Sequence, residues 1–155
     1  MRTFNGKQYE EKAAHDFDEL VEIVDVLRGE NGCKWDRAQT HESLKECLID
    51  ESREVLEAVD HQDDENLCEE LGDVLLQVLM NAQIAKERGA FTIDDVIQVL
   101  SEKLIRRHPH VFGDEVVENE EQALALWRKV KAQEKALKAE KSRRENRNDC
   151  LKSVD

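Results

Sequence analysis

A single proline, Pro109, and six glycines interrupt all 155 residues, and between them apolar residues recur every three to four positions. That spacing matches the 3.6-residue turn of an α-helix, and the strand-forming residues do not alternate. Leu, Glu, Ala and Lys, all good helix formers, fill the intervening positions. The expected fold is all-α, a bundle of four to five helices. The chain is long enough for one domain with its own core.

Five helical patterns follow in order. The first runs from about Glu10 to Arg28, with Phe17, Leu20, Val24 and Leu27 on one stripe, and stops at Gly29-Glu30-Asn31-Gly32. Residues Cys33 to Thr40 read as a loop. Thr40 is a fair N-cap for a second helix over His41–Asp60, and Glu42 suits its first turn. Asp63 or Asp64 caps the third, which lasts to Gly89. Thr92 opens the fourth, with Asp95 completing a capping-box-like pair. Pro109 ends that helix near Arg107 or His108, and 110–114 read as a turn. The fifth begins near Asn119 and carries Leu124, Trp127, Val130 and Leu137. The domain is expected over 1–137, followed by a charged tail, 138–155, that frays or stays disordered.

Charge narrows the function. Lys and Arg number 23 and Asp and Glu 36, for a formal charge of −13. A general nucleic-acid binder needs a basic face, so none is expected. Basic residues of the tail, such as Lys141 and Arg143, are interleaved with Glu140 and Glu145. No apolar run approaches the ~20 residues that span a bilayer, and no membrane partner is expected. The N-terminus has no signal-peptide core. The cysteines, Cys33, Cys47, Cys68 and Cys150, are scattered without zinc spacing. A cytoplasmic protein with reduced thiols is expected.

The acidic residues are not all where solvation would put them. Taking Leu44 as zero, Leu48, Val55, Ala58 and Val59 fall within about 60° of it, yet Glu51 lies at about −20° and Glu54 at about −80°. Asp50, Arg53 and Glu57 point away. In the third helix the stripe is Leu67, Leu71, Val74, Val78, Ala82 and Ala85. With Leu67 as zero, Glu70 lies at about −60°, Asp73 at about −120°, Gln77 at about −80° and Asn81 at about −40°, a polar line along one edge. Glu69 points to solvent. The connection from His61 to Asp63 is short enough for an antiparallel hairpin. Glu51, Glu54, Glu70 and Asp73 can then converge. A carboxylate at a stripe edge is ordinarily a solvated flank, but two such pairs on paired helices are harder to explain that way. Buried together, four like charges must protonate, find cations or bind a metal. An all-oxygen site suits Mg²⁺, or Mn²⁺ as a substitute, rather than zinc, and Mg²⁺ readily shares its shell with phosphate.

The fourth helix shows the reverse pattern. Lys103 and Arg107 lie on the stripe of Val96 and Leu100. They either snorkel at the helix end or clamp phosphate. On the fifth, Trp127 and Lys131 are neighbours one turn apart, either core and flank or a platform for a base and its phosphates.

Taken in order, these residues resemble the MazG family of nucleotide pyrophosphohydrolases. The resemblance covers about 17–134. It rests on Cys33-x-Trp35-Asp36-x-x-Gln39-Thr40-His41, on Glu51-x-x-Glu54, on Glu69-Glu70-Leu71-Gly72-Asp73, and on the run from Glu102 to Asp114 containing Arg106-Arg107-His108-Pro109-His110-Val111-Phe112. It implies a MazG-like helical bundle and an intertwined homodimer. It also implies Mg²⁺-dependent cleavage of nucleoside triphosphates to a monophosphate and pyrophosphate. By position, Glu51, Glu54, Glu70 and Asp73 match the metal ligands. Lys103 and Arg107 match the basic nucleotide contacts, and Trp127 with Lys131 the late Trp-x-x-x-Lys contact. Lys34 stands where the family commonly has proline, and Asp50 where it has the first glutamate of its acidic motif. The alternatives are a dedicated dUTP, dCTP or phosphoribosyl-ATP pyrophosphohydrolase, or a non-catalytic nucleotide-sensing helical dimer. His41, His108 and His110 are expected to be structural. The few aromatic residues and a long last helix in need of a partner also point to a homodimer.

Overall fold

The computed structural model describes Tyr9 and residues 14–152, and among them every regular element is helical. Seven helices follow in order: α1 (Phe17–Arg28), α2 (Lys34–Ala38), α3 (Leu44–His61), α4 (Asp64–Glu87), α5 (Ile93–Arg107), α6 (Pro109–Phe112) and α7 (Glu120–Lys152). Two compact units divide the chain, Met1–Val96 and Ile97–Asp155, with the boundary inside α5. The domain expected over 1–137 spans both.

The boundaries follow local chemistry. Asp16 caps α1, its Oδ1 accepting from the Glu19 N–H at 2.8 Å. Ala14–Asp16 are not helical, and 10–13, where this helix was expected to begin, lie outside the described residues. Gly32 follows α1 so closely that a Cβ would strike the carbonyl oxygens of Val26 and Leu27. Cys33 N–H then donates to Leu27 O at 2.8 Å. Residues 34–38, expected as loop, form the short helix α2; its closing bonds are backbone ones that no periodicity announces.

Thr40, expected as the N-cap, instead closes the turn ahead of the helix, accepting from the Ser43 N–H at 3.2 Å while its own N–H donates to Ser43 Oγ at 2.9 Å; the N-cap position of α3 falls to Ser43, which makes no side-chain cap bond. Residues 41–43 are a turn, so α3 proper starts at Leu44 rather than His41. Gln62, in the left-handed region at φ 54°, closes α3, and Asp63 caps α4 by accepting from the Asn66 N–H at 3.1 Å. These two residues make the hairpin. Thr92 and Asp95 form their reciprocal pair at 2.8 and 3.3 Å, which holds the Asp95 carboxyl below its usual range. Pro109 ends α5 at Arg107 and becomes the first residue of α6, so the expected turn holds one helical turn. Gln122 N–H donates to Asn119 Oδ1 at 3.0 Å, opening α7 beside the expected position. The charged stretch from Lys138 continues α7 to Lys152, and 153–155 lie outside the described residues.

In the first unit α3 packs along α4, and α1 lies against α2 and α4. Val24, Leu44, Leu79, Met80 and Ile84 form the core, with Leu20, Val21, Leu75, Leu76 and Ile93 around it. The expected inward stripes hold only in part. Leu44, Ala58, Ala82 and Ala85 are buried, but Leu48, Val59, Leu71 and Val78 are exposed. From Glu70 to Val78 on α4 the polar line is covered where Leu71 and Val78 are not: Glu70 is 9% and Gln77 6% exposed, against 52% for Leu71. Burial depends on which side of a helix has a neighbour, and periodicity alone names the apolar side.

Candidate functional site

The site grows out of the α3–α4 hairpin. One turn of helix separates Glu51 from Glu54 on α3, and another separates Glu70 from Asp73 on α4. The tight Gln62–Asp63 turn brings the two pairs together. One carboxylate oxygen each from Glu51, Glu70 and Asp73 lies within 4.8 Å of the others. Glu51 and Asp73 are half-buried. Glu54 is exposed and stands outside that trio, yet its carboxyl reaches those of both Glu51 and Glu70. All four residues expected at the site are therefore neighbours, three as a cluster and Glu54 on its rim.

Electrostatics shows the strain of this company. Burial raises the Glu51 carboxyl above the ordinary range, and the negative charges of Asp73, Glu54 and Asp50 raise it further. Glu70 is raised by burial, by a shared hydrogen bond with Glu54, and by the charges of Glu54, Asp73 and Glu69. Each effect disfavours the ionised form. Among the described residues of this unit no cation pairs with these four carboxylates; Arg53 is taken by Asp50 at 2.8 Å on the solvent side. Three converging hard oxygens fit a hard divalent ion, and they lack the nitrogen or sulfur donors zinc favours.

The polar line of α4 continues beyond the carboxylates. Asn81 Nδ2 donates to Gln77 O at 2.8 Å, and Asn81 Oδ1 meets His41 Nδ1 at 2.8 Å. His41, expected to be structural at the start of the second helix, thus ties the entry to α3 onto α4. Periodicity flagged Gln77 and Asn81, but the partner of Asn81 lies forty residues away and had no local signal.

The second unit holds the expected basic residues. Arg107 Nε and Nη2 donate to Glu134 Oε2 at 2.9 and 2.6 Å, and Arg106 reaches the other oxygen of the same carboxylate. These bonds, Arg107's first, hold the Glu134 carboxyl below its usual range. Glu134 had no signal in the periodicity. The Arg107 guanidinium carbon lies 5.4 Å from the centre of the Trp127 ring, and Lys131 Nζ 4.7 Å from it. Trp127, Arg107 and Lys131 thus form one cluster within the unit, and Lys103 is half-buried on the same helix as Arg107. Beside Trp127 opens a cavity of about 370 Å³, lined by His108, His110, Glu120, Ala123 and Leu124.

Comparison with known proteins points the same way. The family model of the MazG nucleotide pyrophosphohydrolase domain matches residues 39–112. The chain is 60% identical over 122 residues to the nucleoside triphosphate pyrophosphohydrolase/pyrophosphatase MazG of Thermotoga maritima, covering 79% of this chain and 46% of that one. It is 44% identical over 126 residues to the nucleoside triphosphate pyrophosphohydrolase of Escherichia coli K12, covering 81% of this chain and 48% of that one. The chain thus spans about half the length of these curated relatives. Among solved structures, a mazG-related protein from Thermotoga maritima superposes with a TM-score of 0.62 at 34% identity, over 74% of this chain and 98% of that one.

Proposed function

The chain belongs to the MazG nucleotide pyrophosphohydrolase family, and on that premise we propose that it hydrolyses nucleoside triphosphates, ribo or deoxy, to a monophosphate and pyrophosphate. The observation that carries this reading is the convergence of Glu51, Glu70 and Asp73 within 4.8 Å on a partly dry hairpin. Only a cation makes that arrangement stable with all three ionised. Mg²⁺ is the proposed ion, with Mn²⁺ as substitute, held by Glu51, Glu70 and Asp73 and completed by Glu54 from the rim. When bound, it neutralises phosphate charge and polarises the phosphoryl group.

The chain's own residues have distinct tasks. The four carboxylates bind and orient the ion, and one of them takes the proton of the attacking water as it adds to the α-phosphorus. Lys103, Arg107 and Lys131 are assigned to the phosphates, where fixed positive charge stabilises the departing pyrophosphate. Trp127 is assigned to the base or sugar. The Arg107 guanidinium, oriented by Glu134 through Nε and Nη2, turns its Nη1 side to a phosphate.

We assign the exposed apolar side of the α3–α4 hairpin, Leu48, Val59, Leu71 and Val78, to a homodimer. Residues 138–155 are assigned no part in catalysis. Free Cys33, Cys47 and Cys68 fit a reducing, cytoplasmic setting. Among the described residues no helix is long and apolar enough to cross a membrane.

The test is a panel of canonical and damaged triphosphates incubated with and without Mg²⁺. Monophosphate and pyrophosphate appearing only with the metal is the expected result. Diphosphate and orthophosphate as products would overturn the assignment. Strong preference for one nucleotide would identify a dedicated enzyme, and no turnover a nucleotide sensor.

A further inference from the structure

Gln77 stands on α4 one turn beyond Asp73 and two beyond Glu70, on the side of the helix that carries both carboxylates. It is 6% exposed, and its Oε1 is a buried acceptor with no hydrogen-bond partner. Buried side-chain oxygens are almost always met by a donor, so an unmet one calls for a missing partner. Its neighbours do not supply one. Asn81 spends its Nδ2 on the backbone carbonyl of Gln77 and its Oδ1 on His41. On the α3 stripe ahead of Glu51 stand Leu44, Cys47 and Leu48, none of which offers a strong donor.

Long side chains on an α-helix lean toward its N-terminus. Such a lean would carry the Gln77 carboxamide back over the turn of Asp73, toward the carboxylates. What that site lacks is a group that carries protons outward. A hard divalent ion held there keeps several waters, and their hydrogens point away from the ion as strong donors. A carboxamide can accept from such a water without adding another negative charge to a crowded site.

We propose that Gln77 is a positioning residue of the metal centre, its Oε1 accepting a hydrogen bond from a water in the shell of the divalent ion held by Glu51, Glu70 and Asp73. The inference rests on the metal reading of those carboxylates and extends it by one residue. Orienting partners of this kind hold the first ligands in place, and their loss commonly weakens metal binding about ten- to a hundredfold.

The experiment is a Mn²⁺ titration of the full chain without nucleotide, read by the paramagnetic resonance of free Mn²⁺ and by water-proton relaxation. Four proteins are compared: the parent, Gln77→Met, Gln77→Glu and Asp73→Asn. Gln77→Met keeps length and volume but removes the acceptor. It is expected to bind Mn²⁺ about tenfold more weakly, with altered relaxation of the bound waters. Gln77→Glu keeps an acceptor at the same reach and is expected to bind at least as tightly as the parent. Asp73→Asn marks the loss of a direct ligand. Circular dichroism verifies that each is folded, and Gln77→Leu replaces the Met variant should that one not fold. Parent-like Mn²⁺ affinity and relaxation in a folded Gln77→Met, while Asp73→Asn is impaired, would overturn this inference and leave the metal centre standing. A parent that binds no Mn²⁺ would remove the metal centre and this inference together.

Discussion

The guanidinium of Arg28, at the end of α1, grips the carboxylate of Glu87, at the end of α4, through Nε at 2.7 Å and Nη2 at 2.8 Å across 59 residues of chain. The Arg28 side chain is 5% exposed. Its Nη1 also donates to the carbonyls of Asp36 and Gln39, so one side chain ties α1, the α2 segment and α4 together. The Arg28 fork holds the Glu87 carboxyl below its usual range. Arg28→Met should lower stability by about 2 kcal/mol, because charge-assisted bonds to a half-exposed carboxylate and two carbonyls are lost. Arg28→Lys should not restore it, since an ammonium cannot serve both sides of the fork. Urea midpoints of the three proteins provide the measurement.

Removing a carboxylate from the hairpin should separate activity from stability. Glu54→Ala and Asp73→Ala are each expected to lose pyrophosphate release at saturating Mg²⁺ by at least about a hundredfold, with helical circular dichroism unchanged. Glu70→Gln should do the same and also melt at a higher temperature than the parent without metal, because a buried like charge is gone. Mg²⁺ should then raise the melting temperature of the parent but not of the variant. Retained turnover in both alanine variants would refute the assignment.

Acidity should act on the metal-free protein with two opposite signs. Glu51 and Glu70 have folded-state affinities for protons raised above those of the unfolded chain. The folded state therefore binds more protons than the unfolded one from the ordinary glutamate range up to the raised values, and there these two groups make stability fall as pH rises. Glu87 and Glu134 are lowered, so their contribution is full above the ordinary range and is lost as pH falls through the lowered values. The difference between parent and Glu70→Gln isolates the first effect: the parent should gain on the variant as pH falls from neutrality. Saturating Mg²⁺ should abolish that gain, since the ion favours the ionised carboxylates.

Trp127 is covered by two cations, and its substitution should be felt in binding rather than chemistry. Trp127→Ala is expected to raise KM about tenfold or more for every nucleotide, since stacking on a base is sequence-tolerant and worth roughly 1–3 kcal/mol, with a smaller effect on kcat. Glu134→Gln should raise KM less, by loosening the orientation of Arg107. A Trp127→Ala enzyme with parent KM and reduced thermal stability would make the indole a packing residue only.

Assembly is measurable directly. The chain is expected to sediment as a dimer at micromolar concentration. Leu71→Glu, which charges a side chain 52% exposed in the single subunit, should shift it toward monomer. A chain ending at Leu137 should keep both the dimer and the activity. A parent that stays monomeric would exclude the proposed interface.

The sequence by itself determined the helical class, the hairpin and the identity of the acidic residues. Those features are local: a cap such as Thr92 with Asp95, a stop at Pro109, and a 100° step that sets Glu51 and Glu70 where leucines belong. Only the tertiary structure decided which faces are covered, that Leu71 is exposed while Gln77 is buried without a partner, and that Glu54 stands at the rim. It alone joined Arg28 to Glu87, His41 to Asn81 and Arg107 to Glu134. The physical reason is range. Helix dihedrals and caps are settled among residues a few positions apart, whereas burial and charge pairing depend on which distant segment arrives alongside, and no period within one helix encodes its neighbour.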